Sequence, residues 1–251
     1  MPGSGKILVF MKHKLLFTEE QKVLRRKIIT LINEVNTSHI GSALTAIDLI
    51  DGIYKQKKKD DIFVLSYGHA ATAWYVVLEK QGLMKNPSLK KLAVHPDRDI
   101  KSGIAVSAGS LGQGLPIAIG MALAEKKRKV YCLISDGECS EGSVWEALRL
   151  AADLKVINLI IILAANGYGA YDAINLVKLL KRIRSFGLKV ITIDGHNPKK
   201  IEQALKTKPK SKPILIFARC LSEQLPFLKG IHAHYHVMSK EDYLLGMEKL
   251  Q

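Results

Sequence analysis

Short apolar runs that do not alternate in polarity constrain this chain more than any other feature. They occur at IFVL (62 to 65), KVYCLI (129 to 134), NLIIIL (158 to 163), KVITI (189 to 193) and PILIFA (213 to 218). A strand with one wet face alternates apolar and polar side chains, because successive residues point to opposite faces. Runs that are apolar throughout need cover on both faces. Between them lie stretches with helical spacing, clearest over 19–35, where Val23, Leu24, Ile28, Leu31, Ile32 and Val35 fall on one face. Further helical patterns lie at about 43–55, 69–82, 112–126, 141–154, 174–185 and 198–206. Strands and helices in this alternation predict an α/β fold, a parallel sheet flanked by helices on both faces. With 251 residues, 47% of them hydrophobic, the chain is long enough for one large core. The expected organisation is a lead-in over 1–17 and a single domain over 18–251.

Composition excludes several function classes. The net charge of +15 is carried by short lysine clusters such as KQKKK (55 to 59), KKRK (126 to 129) and KTKPKSK (206 to 212), without interleaved aromatics. That pattern speaks against nucleic acid and for a solvated surface, anionic substrates or an acidic partner. The three cysteines, Cys132, Cys139 and Cys220, form no C-x-x-C pair and are odd in number, so neither a zinc site nor a disulfide framework is expected. The run VINLIIILAA (156 to 165) fits a buried strand and is about half a membrane span. No membrane association is expected. The N-terminus lacks a small-residue cleavage site after its apolar stretch, which predicts a cytoplasmic protein. The early GSGK (3 to 6) lacks P-loop spacing and a preceding strand.

In parallel sheets ligands bind beyond the carboxyl ends of the strands. Asp136 and Gly137 follow one apolar run, in SDGECSEGSVWEAL (135 to 148), and Asn166 and Gly167 follow the next, in AANGY (164 to 168). These residues are expected to face one crevice. A glycine there lets the backbone approach a phosphate, and a helix beginning near Ser140 would aim its N–H groups at the same spot. One carboxylate plus neutral oxygens suits a hard cation such as magnesium, completed by phosphate oxygens and water. The spacing therefore predicts a metal-bound diphosphate.

The same residues carry a family resemblance. Asp136-Gly137 followed about thirty residues later by Asn166 is similar to the thiamine-diphosphate signature, and DGECSEGSVWEALRLAADLKVINL closely resembles transketolase. The similarity runs from about residue 22 to 245. It includes SHIGSALTAIDLI (38 to 50), FVLSYGHAATAWYVVL (63 to 78), HPDRD (95 to 99), GSLGQGLPIAIGMALA (109 to 124) and VITIDGHN (190 to 197). The resemblance implies a thiamine-diphosphate-binding fold with thiamine diphosphate and Mg2+, or Ca2+ or Mn2+, as cofactors.

Carried over residue by residue, the resemblance implies that Asp136, Asn166 and the carbonyl of Tyr168 hold the metal. It places Gly137, Glu138 and His69 near the diphosphate, and Gly109, Ser110 and Leu111 under the aminopyrimidine. His39, His95 and His234 match histidines lining the substrate channel, and with His69 they are the candidate catalytic imidazoles, able to move protons to and from sugar oxygens. His234 lies in HAHYH (232 to 236), with His232 and His236 as close competitors. His13 and His196 read as surface or loop residues, and Cys139 as packing. Glu141 and Glu146 match carboxylates that run toward the cofactor of a facing subunit.

Three departures stand out. Ser135 replaces the first glycine of G-D-G, SHIG has isoleucine where proline is common, and AANGYGAY (164 to 171) differs from the usual continuation, which bears on the substrate. The activating glutamate of this family comes from a second domain, and none follows here. The resemblance implies one half of a split transketolase, whose C-terminal subunit carries the pyrimidine-binding and C-terminal domains, in a heterotetramer acting on sugars or sugar phosphates. A fragment of a longer enzyme would read the same. The alternatives are a transketolase-like synthase with another donor or acceptor, of the deoxyxylulose-phosphate type, and a non-catalytic cofactor-binding subunit.

Overall fold

The protein is described by a computed structural model over residues 16–251. His13 and the GSGK run lie outside the described residues. Helices α1 (Glu19–Val35) and α2 (Ile40–Gln56) open the fold. Then come β1 (Ile62–Leu65), a 3-10 turn (Gly68–Ala70), α3 (Ala71–Lys80) and α4 (Gly114–Ala124). Strand β2 (Val130–Ser135), a second 3-10 turn (Gly137–Ser140), α5 (Gly142–Asp153), β3 (Leu159–Ala165) and α6 (Leu176–Arg184) follow. The chain continues through β4 (Lys189–Asp194), α7 (Pro198–Leu205), β5 (Ile214–Arg219), α8 (His232–Tyr235) and α9 (Lys240–Lys249). The five strands are all parallel, in the order β1-β2-β3-β5-β4.

The apolar runs do what their lack of alternation predicts. On β3, Ile160, Ile162 and Ala164 join one core with α1, α2, α3 and α7, while Leu159, Ile161 and Leu163 join the other with α4, α5 and α6. Chain order explains which helix lies where. Steps from β1 through β2 and β3 to β4 advance one way with α4, α5 and α6 on one face, and the return step to β5 puts α7 on the other. Crossovers that keep one hand require this. β4, one of the two edge strands, is only partly covered, with Lys189, Thr192 and Asp194 exposed, so the expectation of two covered faces holds for four strands and not for this one.

Local signals set the helix starts. Thr18 accepts from Gln21 N and Gln21 returns the bond, a capping box on α1, and Asn197 with Pro198 opens α7. Phe17, just before α1, packs under the Arg25 guanidinium at 3.6 Å. Among the described residues no helix is long and apolar enough to cross a membrane.

Candidate active site

The carboxyl ends of β1, β2 and β3 open on one pocket lined by Ser42, Tyr67, His69, Asp136, Asn166 and His234, among others. Asp136 follows β2 and is 1% exposed. Its two oxygens accept from Gly137 N at 3.1 Å and Gly167 N at 2.7 Å. Burial pushes this carboxyl up to about 7, against the pull of those backbone donors. Asn166 follows β3 and accepts Tyr168 N at 2.9 Å, which turns the chain at Gly167 (φ 86°). A β-carbon on Gly137 would sit 3.6 Å from Gly169 Cα and 3.8 Å from Tyr168 O, so glycine leaves the gap between the two loops free.

This donor set fits the expected metal. It offers one buried carboxylate, one amide oxygen and a nearby main-chain carbonyl, and among the described residues no three His, Cys, Asp or Glu side chains gather as a metal cluster. Oxygen-only and incomplete, it suits Mg2+ or Ca2+ finished by phosphate oxygens, not zinc. A cation there would offset the desolvation that now raises Asp136.

The four expected histidines come from four separate segments and meet. Ring centroids are 5.1 Å apart for His39 and His69, 4.8 Å for His39 and His234, and 6.5 Å for His39 and His95. Three contacts fix the group. His39 N donates to His234 O at 3.1 Å, Ser42 Oγ pairs with His234 Nδ1 at 3.1 Å, and Gly41 lets α2 approach α8, since a β-carbon there would lie 2.7 Å from Ala233 O. Burial first, then neighbouring imidazoles, holds His69 down at about 3 and His39 at about 4. Burial also lowers His234. His39 and His69 are neutral near pH 7, and His39 Nδ1 is buried without a partner among the described residues. Of the competitors, His232 is exposed and His236 pairs with Asp242 at 2.9 Å, leaving His234 on the pocket.

Several expectations need correction. Glu138 is not open to a ligand: wholly buried, its carboxylate accepts Ser66 Oγ at 2.6 Å, Gly112 N at 2.8 Å and Ser135 N at 3.1 Å. It ties the ends of β1 and β2 to the turn before α4. The helix after Ser140 does not aim at Asp136, because the 3-10 turn intervenes and α5 braces Gly112 through Ser143 Oγ at 2.9 Å. Glu141 and Glu146 need no such correction: their expected place is toward a facing subunit, and in this chain both are exposed, with Glu146 paired to Arg149 at 2.6 Å. Of the 109–111 turn, Leu111 lines the pocket, Gly109 stands against the His95 ring and Ser110 is exposed. His196 is no surface residue. It is 5% exposed, bonded to Asp48 at 2.8 Å and accepting Leu221 N at 2.9 Å.

Ser42, Thr45 and Tyr67 also line the pocket. Sequence reasoning passed over them because they fall on helical or apolar stretches and read as core.

Residues 18–236 match the family described as transketolase, thiamine diphosphate binding domain. The chain belongs to the transketolase family. One of the subunits of the apulose-4-phosphate transketolase of Actinobacillus succinogenes is 32% identical over 263 residues, 93% of this chain and 95% of that one. Transketolase of Homo sapiens is 34% identical over 221 residues, 78% of this chain and 35% of that enzyme. The chain thus spans about a third of the full-length transketolases it matches. The crystal structure of Campylobacter jejuni transketolase superposes with a TM-score of 0.78 at 27% identity, over 92% of this chain and 42% of that one. As in the transketolase domain it matches, the cofactor is thiamine diphosphate.

Proposed function

We propose that this chain is the diphosphate-binding subunit of a two-chain transketolase, with 18–251 as its domain and 1–17 leading into it. In this reading it moves a two-carbon ketol unit from a ketose to an aldose in the cytoplasm. Its partner supplies the pyrimidine-binding and C-terminal domains in a heterotetramer. The observation that carries the reading is one pocket lined both by the Asp136, Asn166 and Tyr168 oxygen set and by His69 and His234, whose rings His39 packs against. The Actinobacillus succinogenes relative, itself named as one subunit of a transketolase and matched over 95% of its length, supports the two-chain arrangement. That relative's name points to sugar phosphates, with apulose 4-phosphate the first to test.

Asp136, the Asn166 amide and the Tyr168 carbonyl would hold the metal, and Gly137 leaves room for the diphosphate. When bound, thiamine diphosphate supplies a thiazolium that takes up the electron pair freed as a carbon–carbon bond breaks. The chain's own part is proton handling and orientation. Neutral His69 and His234, which line the pocket, are the imidazoles placed to exchange hydrogen bonds with a sugar hydroxyl, and His39 packs behind them. Ser42 orients His234 through Nδ1.

Calorimetric titration of the chain assembled with its partner, with and without chelator, tests the reading. Thiamine diphosphate should bind only with a divalent metal. Asp136→Ala, which removes the anionic ligand, should weaken binding more than Asn166→Ala, whose neutral vacancy water partly fills. Equal cofactor affinity with and without chelator would sink the proposal, and so would a complex inactive on a panel of ketose and aldose phosphates.

A further inference from the structure

Tyr67 is 1% exposed, and its hydroxyl has no hydrogen-bond partner among the described residues. A buried phenol in that state is costly, since desolvation of the hydroxyl goes uncompensated. Two other buried tyrosines avoid this cost. Tyr54 Oη accepts Trp74 Nε1 at 2.7 Å, and Tyr75 Oη donates to the Ala93 carbonyl at 2.9 Å.

The position of Tyr67 is fixed by the backbone. It lies between β1 and the 3-10 turn, and a β-carbon on the following Gly68 would come within 2.4 Å of Ala108 O. The segment therefore has little room to shift and take the hydroxyl to another acceptor. The ring lies 5.4 Å from that of His69 and lines the same pocket as Asp136, Gly137 and Asn166. The nearby Glu138 carboxylate is already taken by Ser66, Gly112 and Ser135. Burial, reinforced by Cys220, Glu138 and Asp136, raises the phenol well above its ordinary range, so it stays protonated and acts as a donor.

We propose that the Tyr67 hydroxyl donates a hydrogen bond to the diphosphate of the bound cofactor, making Tyr67 a cofactor-positioning residue on the β1 side of the site. This rests on the thiamine diphosphate reading. The pocket gives a buried donor without an acceptor next to a metal site that phosphate oxygens would complete. In the cofactor-free protein the hydroxyl is a cost, and on binding it becomes a contact.

Tyr67→Phe keeps the ring and removes only the donor. Two measurements on the assembled enzyme freed of cofactor test the idea. Affinity for Mg2+-thiamine diphosphate and for Mg2+-pyrophosphate should fall about tenfold or more, the worth of one hydrogen bond to a charged acceptor, while affinity for unphosphorylated thiamine stays unchanged. The cofactor-free variant should melt at or above the wild-type temperature, since the lost hydroxyl had no partner. Earlier melting would show that the hydroxyl serves the fold and overturn the proposal. Unchanged Mg2+-pyrophosphate affinity, or an equal loss for thiamine, would overturn it as well. Failure of the wild type to bind thiamine diphosphate would instead bring down the cofactor reading itself.

Discussion

Asp48 shows how much of this molecule depends on single residues remote from the pocket. Its carboxylate meets Arg25 at 2.5 and 3.0 Å and His196 Nδ1 at 2.8 Å, with the Asp48 and Arg25 side chains 2% and 0% exposed. Because His196 Nε2 accepts Leu221 N, its proton sits on Nδ1 and is donated to Asp48. The group ties α1 and α2 to the exits of β4 and β5. Asp48→Asn should destabilise by about 3–5 kcal/mol, since it leaves the Arg25 charge buried and unpaired; urea unfolding with a loss under about 1 kcal/mol would count against that account. Burial raises the Asp48 carboxyl, but Arg25 and His196 outweigh it and hold it at about 2. A depressed carboxyl stabilises the fold above its ordinary 3.8 and loses that contribution as pH falls toward 2. None of this was legible in the sequence. His196 follows a strand in a DGHN turn and reads as a loop residue, and its partners are distant in the chain. Asp136 and Asn166 were legible because each follows an apolar run and is itself a ligand type.

At the scale of elements, the strands were legible for a physical reason. A parallel strand buried on both faces has no polar residues to confuse its pattern, and the five runs fall on β1 to β5 within a residue or two at each end. Helix α8 is a single turn, and α9 buries only Gly246 while leaving Leu244 exposed. The single turn of α8 is too short for an apolar stripe and that of α9 is brief, with Tyr243 and Met247 packing on the core beside Gly246, so neither was expected. Yet α8 matters, because it brings His234 against the start of α2. The resulting cluster has a pH signature. His39 at about 4 and His69 at about 3 stay neutral in the fold where unfolded histidine, near 6.5, has taken a proton. Between pH 6.5 and 4 the unfolded state binds more protons, so cofactor-free stability should fall as pH falls. Each such histidine contributes up to about 1.4 kcal/mol per pH unit. Replacing His69 with Asn should flatten the stability–pH slope by about one proton; an unchanged slope would mean that His69 is charged in the native state.

At the scale of the molecule, α4 raises a question that this chain does not answer by itself. Leu115, Ala118, Ile119 and Ala122 are buried against the sheet and α5, but the remaining turns are apolar too, with Ile117 and Leu123 38% and 40% exposed and open space over Gly120. A helix that is apolar all round is normally buried all round. With a net charge of +15 the rest of the surface favours solution, which makes this face the place for a second chain to dock. The exposed Glu141 at the start of the adjoining α5 keeps open a role for that carboxylate across such an interface. Ile117→Asp combined with Leu123→Asp alters side chains outside the buried face of α4, so the chain should stay folded at a cost of about 1 kcal/mol per site. Two buried carboxylates at an interface are far costlier. Sedimentation should therefore show the wild-type chain associating with itself or with its partner chain, and the double variant staying monomeric at the same concentrations. Association undiminished in the variant would move the interface elsewhere and leave the apolar turns of α4 without an explanation.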